Sequence, residues 1–242
     1  MSWVGELLFG DSWAVFSGNA ADNTPHAHAA VQVAIGMHEE ISVISADGTE
    51  HRGRAFFIRP LVEHSLVATG AVALLYVEPQ SPLAFVFSDH VGDADIALIN
   101  PTVLDFDPSR PICDWAGRLA GIVTSQAAAV DSRLQRAIAL LSEEPGRVSI
   151  ADVAFASDLS ESRLRTLARA QLGLPLSTWL IWRKLDRAAR ALADGATLAD
   201  AAHAGGFADQ AHLSRAMRRM FGITPRTAQC ASSPPDHRSV TR

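Results

Sequence analysis

The sequence predicts an α+β protein of more than one domain, in which a β-rich N-terminal part precedes an all-α part with two helix-turn-helix units. Short apolar runs separated by turn residues occupy residues 1–87, a pattern typical of an all-β sandwich or barrel. From about Cys113 onward, apolar residues recur every three or four positions, which indicates helices. The C-terminal half also contains an internal repeat.

Length and composition exclude several classes of protein. The chain has 242 residues, enough for one large or two moderate domains, and 48% of them are hydrophobic, which excludes a disordered chain. The longest strongly apolar run, Ala68–Val77, has about half of the ~20 residues that a membrane-spanning helix needs. The N-terminus lacks the basic stretch of a secretory signal, and two cysteines supply neither a disulfide framework nor a zinc cluster. We therefore expect a cytoplasmic protein without membrane contact.

The two halves of the chain differ in charge. Residues 1–130 carry a net charge of −10, whereas residues 131–242 carry +5, although the whole chain has −5. The two halves are therefore expected to have different partners, and the basic half is compatible with nucleic acid.

The N-terminal part is predicted to consist of short strands. Asp47-Gly48, Pro60 and Gly70 supply turn residues between apolar runs that cover residues 31–37, 40–46, 54–60, 64–69 and 72–77. Residues 88–112 are rich in Asp and Pro and are predicted to form a loop-rich connection. A helix is predicted over residues 113–125.

The internal repeat predicts two helix-turn-helix units, at residues 149–173 and 197–222. Each copy starts with a capping box, in which Ser149 or Thr197 caps a short helix over residues 150–156 or 198–204. Asp158 in the first copy and Gly205-Gly206 in the second tolerate the positive φ of a tight turn. The second helix of each copy has an apolar face and an opposite face of small polar residues and arginines.

Such outward faces suit a helix in the major groove of DNA, since Arg reads guanine bidentately and Ser or Thr contacts bases or phosphates. A solvated basic face is the alternative for one helix alone, and two matched helices favour DNA. Residues 175–195 lie between the copies and predict a helix of roughly 25 Å. This helix could hold the two recognition helices about one DNA turn, ~34 Å, apart. Its tryptophans, Trp179 and Trp182, are expected to be core residues.

Residues 131–229 resemble the DNA-binding domain of the AraC/XylS transcriptional regulators. The most specific segment is GGFADQAHLSRAMRRMFGITP at residues 205–225. The resemblance implies a seven-helix domain that binds double-stranded DNA through base-reading positions at Ser162, Arg165, Thr166, Gln210, Ala211, His212 and Arg215. Because Ser162 and Ala211 are short, direct readout is expected to depend on Arg165 and Arg215. The tail, residues 230–242, is predicted to be disordered.

The same resemblance implies a cupin-like β-barrel at residues 1–110 that binds a small-molecule effector. Residues 111–130 are then a linker with a possible dimerisation helix, whose apolar residues are Trp115, Leu119, Ile122 and Val123. Packing of this helix against its own barrel is an open alternative to a homodimer. RNA polymerase would be a further partner of an activator.

Three histidines are the candidate effector site. Pro25-His26-Ala27-His28 and the later His64 are similar to the cupin motifs, and residues i and i+2 of a strand share a face. His26, His28 and His64 are therefore predicted to line one internal cavity. Three imidazoles can hold a metal, but residues 29–33 lack the carboxylate that usually follows His-x-His. The sequence therefore predicts an organic effector or an empty polar pocket rather than a catalytic metal, and no cofactor.

The sequence contains no P-loop, nucleophile elbow, zinc-protease motif or C-x-x-C pair, so no catalytic residue is predicted. We expect a sequence-specific DNA-binding transcriptional regulator that responds to an effector, and not an enzyme. Two alternatives remain open. One is a metal-dependent cupin enzyme fused to a DNA-binding domain, and the other is an effector-independent regulator whose barrel only dimerises.

Overall fold

The computed structural model describes residues 3–21, 23–89, 91–123, 130–143 and 148–225. The strands are β1 (Val4–Phe9), β2 (Trp13–Asn19), β3 (Val31–Gly36), β4 (Ile41–Ser45), β5 (Glu50–Gly53), β6 (Ala55–Ile58), β7 (His64–Val67), β8 (Ala71–Val77) and β9 (Ile96–Leu98). The helices are α1 (Pro82–Asp89), α2 (Ile112–Val123), α3 (Ser132–Glu143), α4 (Ile150–Ala156), α5 (Glu161–Leu172), α6 (Leu176–Ala193), α7 (Leu198–Ala204) and α8 (Gln210–Phe221), and a 3-10 helix covers Pro101–Leu104.

The strands form two antiparallel sheets. The larger has the order β1-β2-β8-β3-β6-β9 and the smaller the order β5-β4-β7. Phe56 and Leu74 of the larger sheet and Val43 and Leu66 of the smaller share one core between them. The α+β class is thereby confirmed. The strand pairing of the described residues keeps the two sheets separate, so the closed barrel of the sequence prediction is not confirmed.

The other face of the larger sheet is covered by helices. Val33 and Leu75 of the sheet pack in one core with Leu83 of α1 and Trp115 of α2. The Trp115 indole N–H also donates a hydrogen bond to the Leu104 carbonyl at 2.8 Å. The start of α2 therefore packs on its own N-terminal domain. The side chains of Leu119, Ile122 and Val123 lie outside the described residues, so dimerisation through this helix stays a prediction.

Two elements differ from the sequence prediction. Helix α1 overlaps the end of the region, residues 1–87, that was predicted to be β. A short continuous apolar run fits a strand and a buried helix equally. Pro82 at its first position and the Ser81 hydroxyl, which accepts from the Ala84 N–H at 3.2 Å, start the helix. Strand β9 lies inside the predicted loop, where it pairs with the edge of β6 over three residues.

The two helix-turn-helix units follow the sequence prediction closely. Helices α4 and α7 have the predicted bounds, and the Ser149 and Thr197 hydroxyls accept from the backbone N–H of the residue three positions later. Gly173 and Gly222 end α5 and α8 with φ of 72° and 67°, the left-handed conformation that favours glycine. Residues 226–242, which include the predicted disordered tail, lie outside the described residues.

Helix α6 runs through both helical cores. Trp179 and Trp182 belong to the first core with α3, α4 and α5, as expected for core residues, whereas Leu185 and Leu192 belong to the second core with α7 and α8. One continuous helix of 18 residues therefore joins the two units. None of the described helices has the length and apolar character that crossing a membrane requires.

The N-terminal domain packs directly on the helices. Ala29 and Ala30, which precede β3, are fully buried in the first helical core. Tyr76 of β8 contacts Trp182 and Phe221, with ring centroids 6.2 and 5.6 Å apart. The interface is therefore built from aromatic rings and small side chains.

Charged groups also join the two domains. The guanidinium of Arg183 in α6 forms a buried ion pair with Glu78, and Arg190 donates to the Gly10 carbonyl. Burial raises the pKa of the Glu78 carboxyl, and the nearby positive charge of Arg183 opposes that shift. The contacts between the domains thus include the buried Glu78 carboxylate, whose negative charge is stabilised by Arg183.

Candidate DNA-binding surface and histidine cluster

The predicted base-reading residues of the first unit lie on the exposed face of α5. Ser162, Arg165 and Thr166 are exposed, whereas Leu164 and Leu167 between them are buried. The periodicity of the helix thus separates a core face from a polar face, as the sequence predicts. The three polar residues line one groove of about 830 Å³, which continues along Arg169 to the start of α6.

Two local hydrogen bonds organise this face. The Thr166 hydroxyl donates to the Ser162 carbonyl at 2.9 Å, and Arg165 donates to Glu161 at 3.2 Å in an exposed i, i+4 pair. Such an exposed pair contributes well below ~1 kcal/mol. It therefore positions the guanidinium and leaves it free to leave Glu161 and pair with another anion.

The residues predicted for the second unit lie in the first turns of α8. Gln210, Ala211, His212 and Arg215 are all exposed. The Asp209 carboxylate caps the helix and accepts from the His212 N–H at 2.6 Å. The start of the helix, where side chains reach base edges in helix-turn-helix proteins, is thereby fixed.

The turn before α8 is pressed against α6. A Cβ on Gly205 would lie 2.8 Å from the Lys184 carbonyl oxygen, and Gly206 has φ of 71°. Lys184 also donates to the Gly206 carbonyl at 2.9 Å. The first glycine is therefore required for close approach to α6 and the second for the turn itself. The sequence indicated only the turn.

The exposed face of α8 borders the N-terminal domain across a cleft of about 750 Å³. His212 and Arg215 line one wall, and His26, Leu61 and Glu63 line the opposite wall. A group bound in this cleft would contact both the histidine region and the base-reading side chains.

The three histidines converge, as their spacing predicts. Their ring centroids are 4.6 to 5.9 Å apart, and all three side chains are buried. The backbones of His26 and His64 exchange two hydrogen bonds of 3.0 Å in an isolated β-bridge. Hydrogen bonds of the main chain therefore hold the loop before β3 against the start of β7.

Gln32 fills the space between two of the rings. Its side-chain oxygen lies 2.7 Å from His28 Nε2 and 2.9 Å from His64 Nε2. The histidines and this amide form a packed cluster, whereas the sequence predicted that the three histidines line an internal cavity. Sequence reasoning noted only that residue 32 is not an acid. Gln32 lies four residues after His28 in the apolar run that forms β3, and this position was the sequence signal for its contact with the rings.

Burial keeps the histidines neutral. Desolvation lowers the pKa of His28 to about 4 and that of His64 to about 2, and it also lowers the pKa of His26. Neighbouring histidines add to the effect at His28 and His64. At neutral pH each ring therefore carries one proton and one lone pair, which is the form that binds metals.

Comparisons with known proteins agree with the two-domain arrangement. A family model described as a helix-turn-helix domain matches residues 156–229. An AraC-like transcription regulator of Streptomyces lividans is 35% identical over 113 residues, and the transcriptional regulator LumQ of Photobacterium leiognathi is 27% identical over 183 residues. These matches cover 46% and 75% of this chain. They span 34% and 65% of the two relatives, less than two thirds of the length of either.

Similarity of structure extends over nearly the whole chain. A crystal structure of apo ToxT from Vibrio cholerae has a TM-score of 0.61 at 11% identity and covers 93% of this chain and 99% of ToxT. A structure of ToxT bound to (E)-4-(8-methylnaphthalen-1-yl)but-3-enoic acid has a TM-score of 0.60 at 10% identity, with coverage of 92% and 100%. At this identity the likeness establishes the fold. The match to the helix-turn-helix family model and to the AraC-like regulator confirms the resemblance to AraC/XylS regulators, and the C-terminal helices form a helix-turn-helix domain.

Proposed function

We propose that this chain is a transcriptional regulator that binds double-stranded DNA sequence-specifically through α5 and α8. The observation that carries the proposal is the pair of capped helices with exposed polar faces, fixed to one continuous α6. Two recognition helices on one rigid helix suit successive major grooves on one side of DNA.

Within each recognition helix the residues have different roles. Arg165 and Arg215 are the long side chains that reach guanine edges bidentately, and the shorter Ser162 and Ala211 allow the helix to approach the bases. Thr166, Gln210 and His212 supply further polar contacts to bases or phosphates. All seven side chains are exposed, which such contacts require.

The N-terminal domain is proposed to respond to a small-molecule effector. Ligand-bound ToxT has the same fold, and here the cleft beside α8 brings His26 and Arg215 to one space. His28 and His64 contact His26, which lines the cleft. A conformational change in the histidine cluster would therefore alter the wall of the cleft. An effector in this cleft would alter the surroundings of the DNA-reading side chains directly.

The remaining aspects of the proposal concern partners, location and chemistry. We propose a cytoplasmic location, where an activator would contact RNA polymerase. We propose that the chain forms a homodimer through α2, so that the two protomers bind two DNA half-sites. No catalytic role is proposed, because the exposed residues of both recognition helices serve binding rather than bond making.

Genome-wide footprinting with the full-length chain tests the DNA-binding function. We expect enrichment at a small set of promoters that share one motif, with lost enrichment for the double variant Arg165→Ala, Arg215→Ala. Arg52→Ala is the control, since it removes a positive charge from an exposed side chain of the N-terminal domain. Equal enrichment for all three proteins would contradict the proposal.

A further inference from the structure

The histidine cluster has a pattern of hydrogen bonds that leaves one unprotonated nitrogen on each ring, and two of these nitrogens face the same amide oxygen. The Nδ1 atoms of His26, His28 and His64 lie 3.0, 2.8 and 2.9 Å from three backbone carbonyl oxygens, those of Thr24, Ala30 and Val62. A carbonyl only accepts, so each Nδ1 carries the proton of a neutral ring. Each Nε2 is therefore an unprotonated acceptor.

The amide oxygen of Gln32 faces two of these acceptors. It lies within hydrogen-bond distance of both His28 Nε2 and His64 Nε2, yet neither nitrogen has a proton to donate. A group that accepts electron pairs from the amide oxygen and from the two ring nitrogens would give each of these acceptors a partner. A metal cation does so, and so would a half-turn of the amide, which would direct its NH₂ at both nitrogens.

We propose that His26, His28, His64 and Gln32 bind one divalent transition-metal ion. One ring nitrogen from each histidine lies within 4.8 Å of the others. Zinc–nitrogen bonds of about 2.0–2.1 Å place the nitrogens of a tetrahedral site ~3.4 Å apart. Each ring would therefore move inward by less than about 1 Å.

The surroundings of the cluster favour a metal over an unliganded polar core. Carbonyl groups accept from every Nδ1–H, and this is the outer-shell arrangement that orients metal-binding histidines in proteins. The β-bridge between His26 and His64 fixes two of the ligands before any ion arrives. His26 also lines the cleft beside α8, which gives an ion a path from solvent.

The composition of the site selects the class of ion. Imidazole nitrogen suits Zn²⁺, Cu²⁺, Ni²⁺ and Fe²⁺, whereas Mg²⁺ and Ca²⁺ prefer oxygen ligands. Within the described residues the cluster contains histidines and no carboxylate. The ligands are thus all neutral, and the positive charge of the ion stays uncompensated. We therefore expect that a negatively charged side chain in place of Gln32 would increase the affinity of the site for the metal ion.

The experiment is a Zn²⁺ titration of the untagged full-length chain after treatment with EDTA. Metal content by mass spectrometry and a chelator competition give stoichiometry and Kd, and X-ray absorption identifies imidazole ligands. We expect one Zn²⁺ per chain, lost in His28→Ala and His64→Ala. His38→Ala, at an exposed histidine, is the matched control and should bind normally.

Variants of residue 32 keep the test decisive if the buried histidine variants do not fold. Gln32→Glu should tighten Zn²⁺ binding by roughly tenfold or more, because the charge of the ligands rises, and Gln32→Leu should weaken it. Absence of stoichiometric Zn²⁺ in the unmodified chain would overturn the proposal and support the turned amide. Binding that is equal in all three residue-32 proteins would overturn it as well. Neither outcome depends on DNA binding.

Discussion

At the scale of single residues, Arg215 provides the sharpest test of DNA reading. Arg215→Ala should weaken binding to the specific site by ~1–3 kcal/mol and relax the preference at one base pair, since a bidentate contact discriminates by that amount. The measurement is fluorescence anisotropy with specific and random duplexes at fixed salt. Arg52→Ala should change both affinities little. Equal losses on the two duplexes would show that Arg215 contacts only phosphate.

The positions of individual residues were predictable where the spacing is short. Ser149, Thr197 and the outward arginines follow from helix periodicity and capping preferences. The convergence of His26, His28 and His64 was also predicted, although His26 and His28 lie in the loop before β3 and not on the expected strand. The contact of Gln32 with two rings was not, since it depends on how β3 of the larger sheet packs against β7 of the smaller sheet, a long-range contact that local patterns do not contain.

At the scale of one element, the N-cap of α8 links helix stability to DNA binding. Asp209→Ala should lower the free energy of unfolding by about 1 kcal/mol, because the His212 N–H then lacks an acceptor. Frayed first turns should also weaken specific DNA binding. Asp209→Asn keeps a good capping side chain and should retain both properties. Urea unfolding and anisotropy measure the two effects, and a loss as large in Asp209→Asn would argue against capping as the cause.

The predictability of the elements varied with how local their causes are. Helices α4 and α7 were predicted to the residue because a capping hydroxyl marks the start of each, and Asp158 or Gly205-Gly206 marks the turn that follows. Helix α1 was misread because eight apolar-rich residues fit either state. The three-residue β9 exists only because the edge of β6 offers it a partner. Edges of a tertiary sheet of this kind cannot be located from composition.

At the scale of the whole molecule, the Arg183–Glu78 pair tests how firmly the domains are joined. Arg183→Ala should cost about 3–5 kcal/mol in full-length stability, because it leaves the buried Glu78 carboxylate without its positively charged partner. Arg136→Ala breaks an exposed pair with Asp158, whose side chains are 56% and 79% accessible, and should cost below ~1 kcal/mol. Chemical denaturation measures both, and similar costs for the two variants would contradict a buried interdomain pair.

The Arg183→Ala variant should also depend on pH. Burial raises the pKa of Glu78 above its ordinary 4.5, and the variant lacks the cation that opposes this shift. The folded form then holds its proton more tightly than the unfolded chain, so stability falls as pH rises through and above 4.5. The deficit relative to the unmodified protein should be smaller at pH 4 than at pH 7. A deficit that is constant across this range would show that Glu78 does not carry it.

The two alanines before β3 have a consequence for engineering. Ala29 and Ala30 belong to the N-terminal domain in sequence, yet they fill space inside the first helical core. A chimaera that joins these helices to the sensor of another regulator would therefore inherit a void or a clash at that point, at a cost that grows with the missing volume. Exchange of sensors should succeed only when the donor loop carries small apolar residues there. The useful crossover point for such chimaeras is thus defined by this loop as much as by the connection between the domains.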